Sequence, residues 1–263
     1  MMNEYSQKLF SDGFVHIPKF FSSNEVSDID HAIDTVYNNP TLFKISKKSD
    51  KGEFFMDYNN WRRNSNIENI CKSSKIVDFM CSLTESTKCW LMHEDVIIKN
   101  GFASQTPIHH DRPYFIFKGD LNITMWTSVN DIKKESSLIL LKGSHKIDNL
   151  FLPKNFTSSN NAEFDKNPDS DYINIDEYDF TNNEEVSFDF KAGDAIFFFN
   201  RTVHRAPEQV SKTVRKSIAI RYLLDGASMT ELYYNDVPPY TRIGVKVKED
   251  APVPENFFPL LKS

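Results

Sequence analysis

From Cys89 onward, apolar residues recur at every second position in short segments separated by glycine-bearing turns, and this pattern constrains the fold more than any other feature. In the first segment Trp90, Met92, Val96 and Ile98 fall on one face, with Leu91, His93, Ile97 and Lys99 on the other. Further strands are predicted over 121–129, 137–141, 186–190, 194–199 and 214–224, with turns at Gly101, Gly119, Gly143 and Gly193. Short strands at this density suit a sandwich or barrel. The first part of the chain reads differently. Ser22 and Glu25 have capping-box spacing, Val26, Ile29, Ile33 and Val36 follow at helical intervals, and Asn39-Pro40 ends the run. A second helix is predicted over 74–83, with Ile76, Val77, Met80 and Leu83 on one stripe. Helices first and strands later describe a mainly β fold with flanking α-helices.

A chain of 263 residues is expected to form a single domain over 1–263, carrying a polar insertion at about 155–185 where Asn, Asp and Glu crowd out aliphatic residues. That insertion reads equally well as a lid or as a surface loop. With 31 Lys and Arg against 37 Asp and Glu, and no basic run, no nucleic-acid partner is expected. No apolar run is long enough for a membrane span, and the start, MMNEYSQKLF, lacks a secretory layout. Three cysteines without a CxxC suggest neither disulfides nor a zinc site, so a cytoplasmic location is expected. The expected partner is a small-molecule substrate, and the pattern leaves oligomeric state undetermined.

The chemistry concentrates in the run Thr106 to Tyr114. In an extended segment His109 and Asp111 point the same way, while His110 faces elsewhere. Such a pair alone is weak, because surface residues pair this way by chance. His204, at the end of the apolar run Phe197 to Val203, is the candidate third ligand. Two imidazoles and a carboxylate on one face of an octahedral ion leave three positions open, as in non-haem Fe(II) oxygenases. Arg215 and Ser217, two apart on the following strand, suit a carboxylate clamp, although an isolated arginine more simply makes a surface ion pair. Lys99 and Thr124 are placed with the cosubstrate. Arg112, Tyr114, Trp126 and His93 are placed with the substrate, core packing being the competing reading for Trp126. Arg62, Arg63, Arg112 and Arg221 are candidates to attract an anion or to pair with carboxylates. His16 and His31 read as ordinary histidines, and His145 as a loop-ordering one.

Taken with Gly13-Phe14-Val15, Phe20-Phe21, Asn60-Trp61-Arg62-Arg63, Gly143-Ser144-His145-Lys146, Lys191-Ala192-Gly193-Asp194 and Ile220-Arg221-Tyr222-Leu223, the metal segment resembles the phytanoyl-CoA dioxygenase family. These are Fe(II)- and 2-oxoglutarate-dependent oxygenases with a double-stranded β-helix core, a jelly-roll related to cupins. The resemblance implies that His109, Asp111 and His204 bind Fe(II), and that Arg215, with Ser217, grips the far carboxylate of 2-oxoglutarate. It further implies that O2 is consumed, that succinate and CO2 are released, and that a small polar or anionic metabolite is hydroxylated. Asp111 is retained where related halogenases lack the carboxylate. The sequence departs from the family at His110, where Gln is common, at Glu135-Ser136-Ser137, where Glu-Asn-Gly is common, and at Arg205 and Ala206 after the distal histidine. The competing readings are an inactive or structural-metal β-barrel binding protein and a cupin-like metal enzyme that does not use 2-oxoglutarate. Succinate release separates them.

Overall fold

The capping box forms as the spacing predicts: the Ser22 hydroxyl accepts the Glu25 amide at 3.3 Å, and the Ser22 amide donates to the Glu25 carboxylate at 2.7 Å. The computed structural model describes residues 3–101, 103, 105–154, 172–209, 213–232 and 238–263. Four helices, α1 (Glu4–Asp12), α2 (Ser23–Asn38), α3 (Ser65–Cys71) and α4 (Ser74–Thr84), bury one stripe each. For α2 the buried stripe is Ile29, Ala32, Ile33 and Val36; for α4 it includes Ile76, Val77, Met80 and Leu83. Among the described residues no helix is long and apolar enough to cross a membrane.

The strands are β1 (Phe14–Ile17), β2 (Ile45–Lys48), β3 (Gly52–Tyr58), β4 (Cys89–Gly101), β5 (Thr106–His109), β6 (Phe117–Lys118), β7 (Ile123–Ser128), β8 (Ile139–Leu141), β9 (Glu185–Val186), β10 (Ala195–Phe199), β11 (His204–Ala206), β12 (Val214–Leu224), β13 (Ser228–Met229) and β14 (Leu260–Lys262). An eight-stranded antiparallel sheet runs β1-β10-β7-β12-β4-β3-β2, with β14 added to β4; a second sheet runs β5-β11-β8-β9. The helices cover one face of the large sheet, where Leu9, Ile33 and Met80 meet Met125, Phe197 and Ile220. Its other face meets the small sheet through Trp126, Leu140, Phe198 and Ala219. This is the double-stranded β-helix.

Three features depart from the expected organisation. Strands β1, β2 and β3 lie among the helices in sequence, so helices do not simply precede strands. β2 escapes the period-two test because it is a short edge strand whose Ser46 and Lys48 are exposed, which also blunts that edge. The strand predicted over 186–190 shortens to β9 and an isolated bridge between Ile132 and Phe190. Finally, the face assignment on β4 is overturned by a bulge. Arg221 pairs with His93 but Tyr222 pairs with Leu91, so Met92 is an extra residue. The phase therefore flips: Leu91 joins Val96 and Ile98 on the helix side, while Trp90 and Met92 pack with Tyr240 and Phe258.

Of the polar insertion, residues 155–171 lie outside the described residues; beyond them Ile175 packs against Leu141, Phe151 and Val203. The turn entering β10 needs Gly193. Its φ is +91°, and a Cβ there lies 2.6 Å from the Phe21 carbonyl oxygen, which accepts no such approach. Gly193→Ala is therefore expected to destabilise the fold by at least about 1–3 kcal/mol. Urea unfolding checks this, and an unchanged midpoint refutes it.

Candidate metal centre

β5 and β11 pair antiparallel with His109 directly opposite His204, and the ring centroids are 4.2 Å apart. Each ring places Nδ1 on a backbone carbonyl two residues earlier, Pro107 at 2.8 Å and Thr202 at 2.9 Å. Nδ1 is therefore the protonated nitrogen, and each Nε2 presents a lone pair. The chain then leaves the strand, and the 3-10 turn Arg112–Tyr114, with Pro113 inside it, brings Asp111 alongside. Asp111 Oδ1 lies 3.6 Å from His109 Nε2 and 3.8 Å from His204 Nε2, and ligand atoms of all three buried residues fall within 4.8 Å of one another. His110 turns away and accepts the Phe151 amide at 3.1 Å.

The protonation states suit a cation. Burial pushes the Asp111 carboxyl up, but Arg221 and the two imidazoles outweigh it and hold the group well below the usual range. Burial and the neighbouring His109 push His204 down to about 4, so its ring is neutral near pH 7, as a metal ligand must be. The second oxygen of Asp111 accepts the Thr124 hydroxyl at 3.0 Å and lies 3.4 Å from Arg221 Nε. Arg221 Nη1 in turn bonds to Asp95.

A cavity of about 80 Å³ joins His109 and His204 to Arg215 and Ser217 and is walled by Phe54, Met56, Ile97, Trp126 and Phe198. Arg215 is buried, and burial lowers its guanidinium to about 10, so it stays charged at neutral pH. Its Nη1 donates to the Ser136 carbonyl at 2.7 Å, but its buried Nε has no partner. A buried donor without an acceptor is costly and favours an incoming anion. Lys99 is fully buried across the ladder from Arg215, and burial with Arg215's charge holds it well below its usual value.

Other sequence candidates are distributed less simply. Trp126 lines the cavity, edge-on to Phe190 at 4.8 Å. Tyr114 sets its ring edge-on to His109 at 5.9 Å, with its hydroxyl held by the backbone of Lys154. His93 sits behind Asp95, 3.6 Å from its carboxylate, and its Nδ1 is 2.6 Å from the Tyr240 hydroxyl. Thr124 bonds to Asp111 and does not line the Arg215 end. Arg112 lies outside the metal cavity; it lines a separate cleft of about 500 Å³ with Lys118 and Arg201. Arg62 stacks on Trp61 at 4.4 Å, and Arg63 bonds to Asn60 at 2.7 Å, so both serve structure. His145 orders a loop, approaching the Phe10 carbonyl at 3.2 Å. Sequence reasoning missed Asp95, although it shares the period-two row of His93, Ile97 and Lys99. For Arg221, the period-two row Arg215, Ser217, Ala219, Arg221 was the available signal.

Fold and side chains together define the class: a jelly-roll with two histidines and one aspartate converging beside a buried arginine. The family model described as Phytanoyl-CoA dioxygenase (PhyH) matches residues 10–217, and the chain belongs to that family. Among solved structures, the epimerase SnoN in complex with Fe3+, alpha ketoglutarate and nogalamycin RO is 20% identical, with TM-score 0.78 over 98% of this chain and 97% of that one. The alpha ketoglutarate dependent carbocyclase SnoK from nogalamycin biosynthesis is 17% identical, with TM-score 0.72 over 99% and 96%. EvdO2 from Micromonospora carbonacea var. aurantiaca, complexed with 2-oxoglutarate, is 15% identical, with TM-score 0.61 over 88% and 93%. At these identities the likeness is one of fold. A sequence search of curated proteins finds no match.

One buried carboxyl beside the site yields a pH prediction. Glu94 accepts the Asn60 and Trp61 amides at 2.6 and 3.3 Å, yet burial outweighs these bonds and raises it to about 8. A carboxyl raised on folding contributes stability that is full below its unfolded value of 4.5 and is lost as pH climbs through about 8. Melting of the metal-free protein should show this loss, and Glu94→Gln should flatten it. An identical slope in the variant contradicts the assignment.

Proposed function

We propose that the chain is an Fe(II)- and 2-oxoglutarate-dependent oxygenase acting on a small molecule, with hydroxylation as its outcome. The observation that carries this is the convergence of the His109, Asp111 and His204 ligand atoms, with both histidines lining the cavity that also holds the unsatisfied Arg215 donor. The donor set fits the ion, since two neutral imidazoles and one ionised carboxylate leave positions open for a chelating cosubstrate and O2. His109, Asp111 and His204 hold Fe(II) in this reading. Bound there with 2-oxoglutarate and O2, the metal supplies the oxidation that yields succinate, CO2 and a hydroxyl on the substrate.

The chain's own residues do the remaining work. Arg215 takes the far carboxylate in a forked pair, and Ser217 adds a hydroxyl on the same strand face. Trp126, Phe198 and Leu138 keep water from the reacting end. The substrate lays its carbon skeleton on Phe54, Met56 and Ile97, with polar groups toward the Asp95–Arg221 pair. Since Arg221 is paired with Asp95 and Asp111, and Arg112 lies elsewhere, this wall suits a polar neutral group better than an anion. Net charge of −6 supports no nucleic-acid partner, and three buried free cysteines support a cytoplasmic location for a single domain spanning 1–263.

Anaerobic protein with Fe(II) and 2-oxoglutarate should show a weak visible charge-transfer band that disappears in His204→Ala. Arg215→Ala should weaken 2-oxoglutarate binding by a factor of about 30 or more, since truncating one partner of a buried charge pair costs about 2–5 kcal/mol. Folded, iron-loaded protein with no band, or no succinate release in air, removes this reading. SnoN and SnoK are named an epimerase and a carbocyclase. Product mass therefore decides the outcome, since hydroxylation adds one oxygen and epimerisation adds none.

A further inference from the structure

The two oxygens of Asp111 have different surroundings. Oδ1 faces both imidazole Nε2 atoms, at 3.6 and 3.8 Å, and Oδ2 faces Thr124 Oγ1 at 3.0 Å and Arg221 Nε at 3.4 Å. We propose that Thr124, through its hydrogen bond, and Arg221, through its ion-pair contact, are positioning residues that occupy Oδ2 and so confine Asp111 to one-oxygen ligation of the metal. The inference rests on the ferrous reading above and concerns how the site keeps its positions open. A carboxylate free to rotate or to chelate through both oxygens occupies one more position, which the cosubstrate or O2 then loses.

Both partners of Oδ2 are themselves fixed. Thr124 is fully buried on β7, directly opposite Arg221 in the β7–β12 ladder, so both reach Asp111 from neighbouring strands of one sheet. Arg221 is pinned at its far end by Asp95, across β4 beside the bulge, and lies between two carboxylates. Its guanidinium carbon is 5.6 Å from the Phe115 ring centre, which limits its swing. Asp95 is backed by His93, and His93 by the Tyr240 hydroxyl. A buried chain from Tyr240 to Asp111 thus holds one carboxylate oxygen. Outer partners of this kind change metal affinity by about 10- to 100-fold in other sites.

The test uses Co(II), whose visible d–d absorption reports coordination number, on the full chain without cosubstrate. Thr124→Val keeps the side chain's shape and removes the donor; Arg221→Lys keeps the charge and removes the fork. Each is expected to shift the d–d band toward that of a higher coordination number, while Thr124→Ser retains the wild-type spectrum. Melting of the metal-free proteins identifies a misfolded variant, and Thr124→Val with its Ser control decides alone if Arg221→Lys does not fold. An unchanged spectrum in folded, Co(II)-loaded Thr124→Val overturns the proposal. Failure of the wild-type protein itself to bind Co(II) overturns instead the metal site on which it rests.

Discussion

The alternation of β12 sustains both the fold and the site. Ile218, Ile220, Tyr222 and Leu224 enter the helix-side core, and Arg215, Ser217, Ala219 and Arg221 line the cavity. A slip of one residue exchanges the two sets. It exposes apolar groups worth about 1.5–3 kcal/mol each when buried, and it drives guanidinium groups into a core without acceptors, where each costs several kcal/mol. Both penalties act in the same direction. The register that builds the core therefore also aims the polar row, and the site needs no separate folding determinant along this strand.

The β4 bulge refines that arrangement. Opposite β12, regular pairing of β4 would continue one phase along its whole length, but the extra residue Met92 lets Leu91 and Val96 reach the same core although they differ in parity. His93, Asp95 and Ile97 then face inward from one side of the bulge, with Met92 packing near them in a satellite cluster around Tyr240 and Phe258. The bulge thus switches the strand from a structural segment below to a site-forming one above. Bulges beside functional sites commonly re-aim side chains in this way.

This also explains what was legible in the sequence. β12 appears with the predicted bounds, and β7 and β10 within them, because apolar periodicity there is strong and each strand is buried on both faces. His109 rather than His110 pairs with His204, as expected, but the strand ends there, and Asp111 reaches the site from the start of a 3-10 turn and not from the same strand face. Trp90 and Met92 were assigned to the wrong face because a bulge changes phase without changing composition. β1 and β2 show little period-two signal because they are short edge strands, and β3, an interior strand between β2 and β4, hides it because its run Phe54 to Tyr58 is buried on both faces and does not alternate. Arg112 illustrates a different limit: adjacency to Asp111 in sequence says nothing of direction once the chain enters a 3-10 turn, and the side chain emerges at another cleft.

The distribution of charge in the cavity gives it a direction. At the ligand end Arg221 is matched by Asp95 and Asp111, so its charge is satisfied within the protein. At the other end Arg215 has no ion-paired carboxylate among the described residues, and burial leaves its guanidinium charged at neutral pH. In a low-dielectric cavity this difference is felt strongly. Under the proposed function a diacid entering here meets unmatched positive charge only at the Arg215 end, and its other end must then lie toward the metal. Both ends of a diacid carry a carboxylate, so this charge pattern fixes one carboxylate at Arg215, and the 2-oxo group, present at one end only, decides which carboxylate faces the metal ligands. Anchoring of the cosubstrate thus follows from which of two buried arginines the protein leaves without a counter-ion.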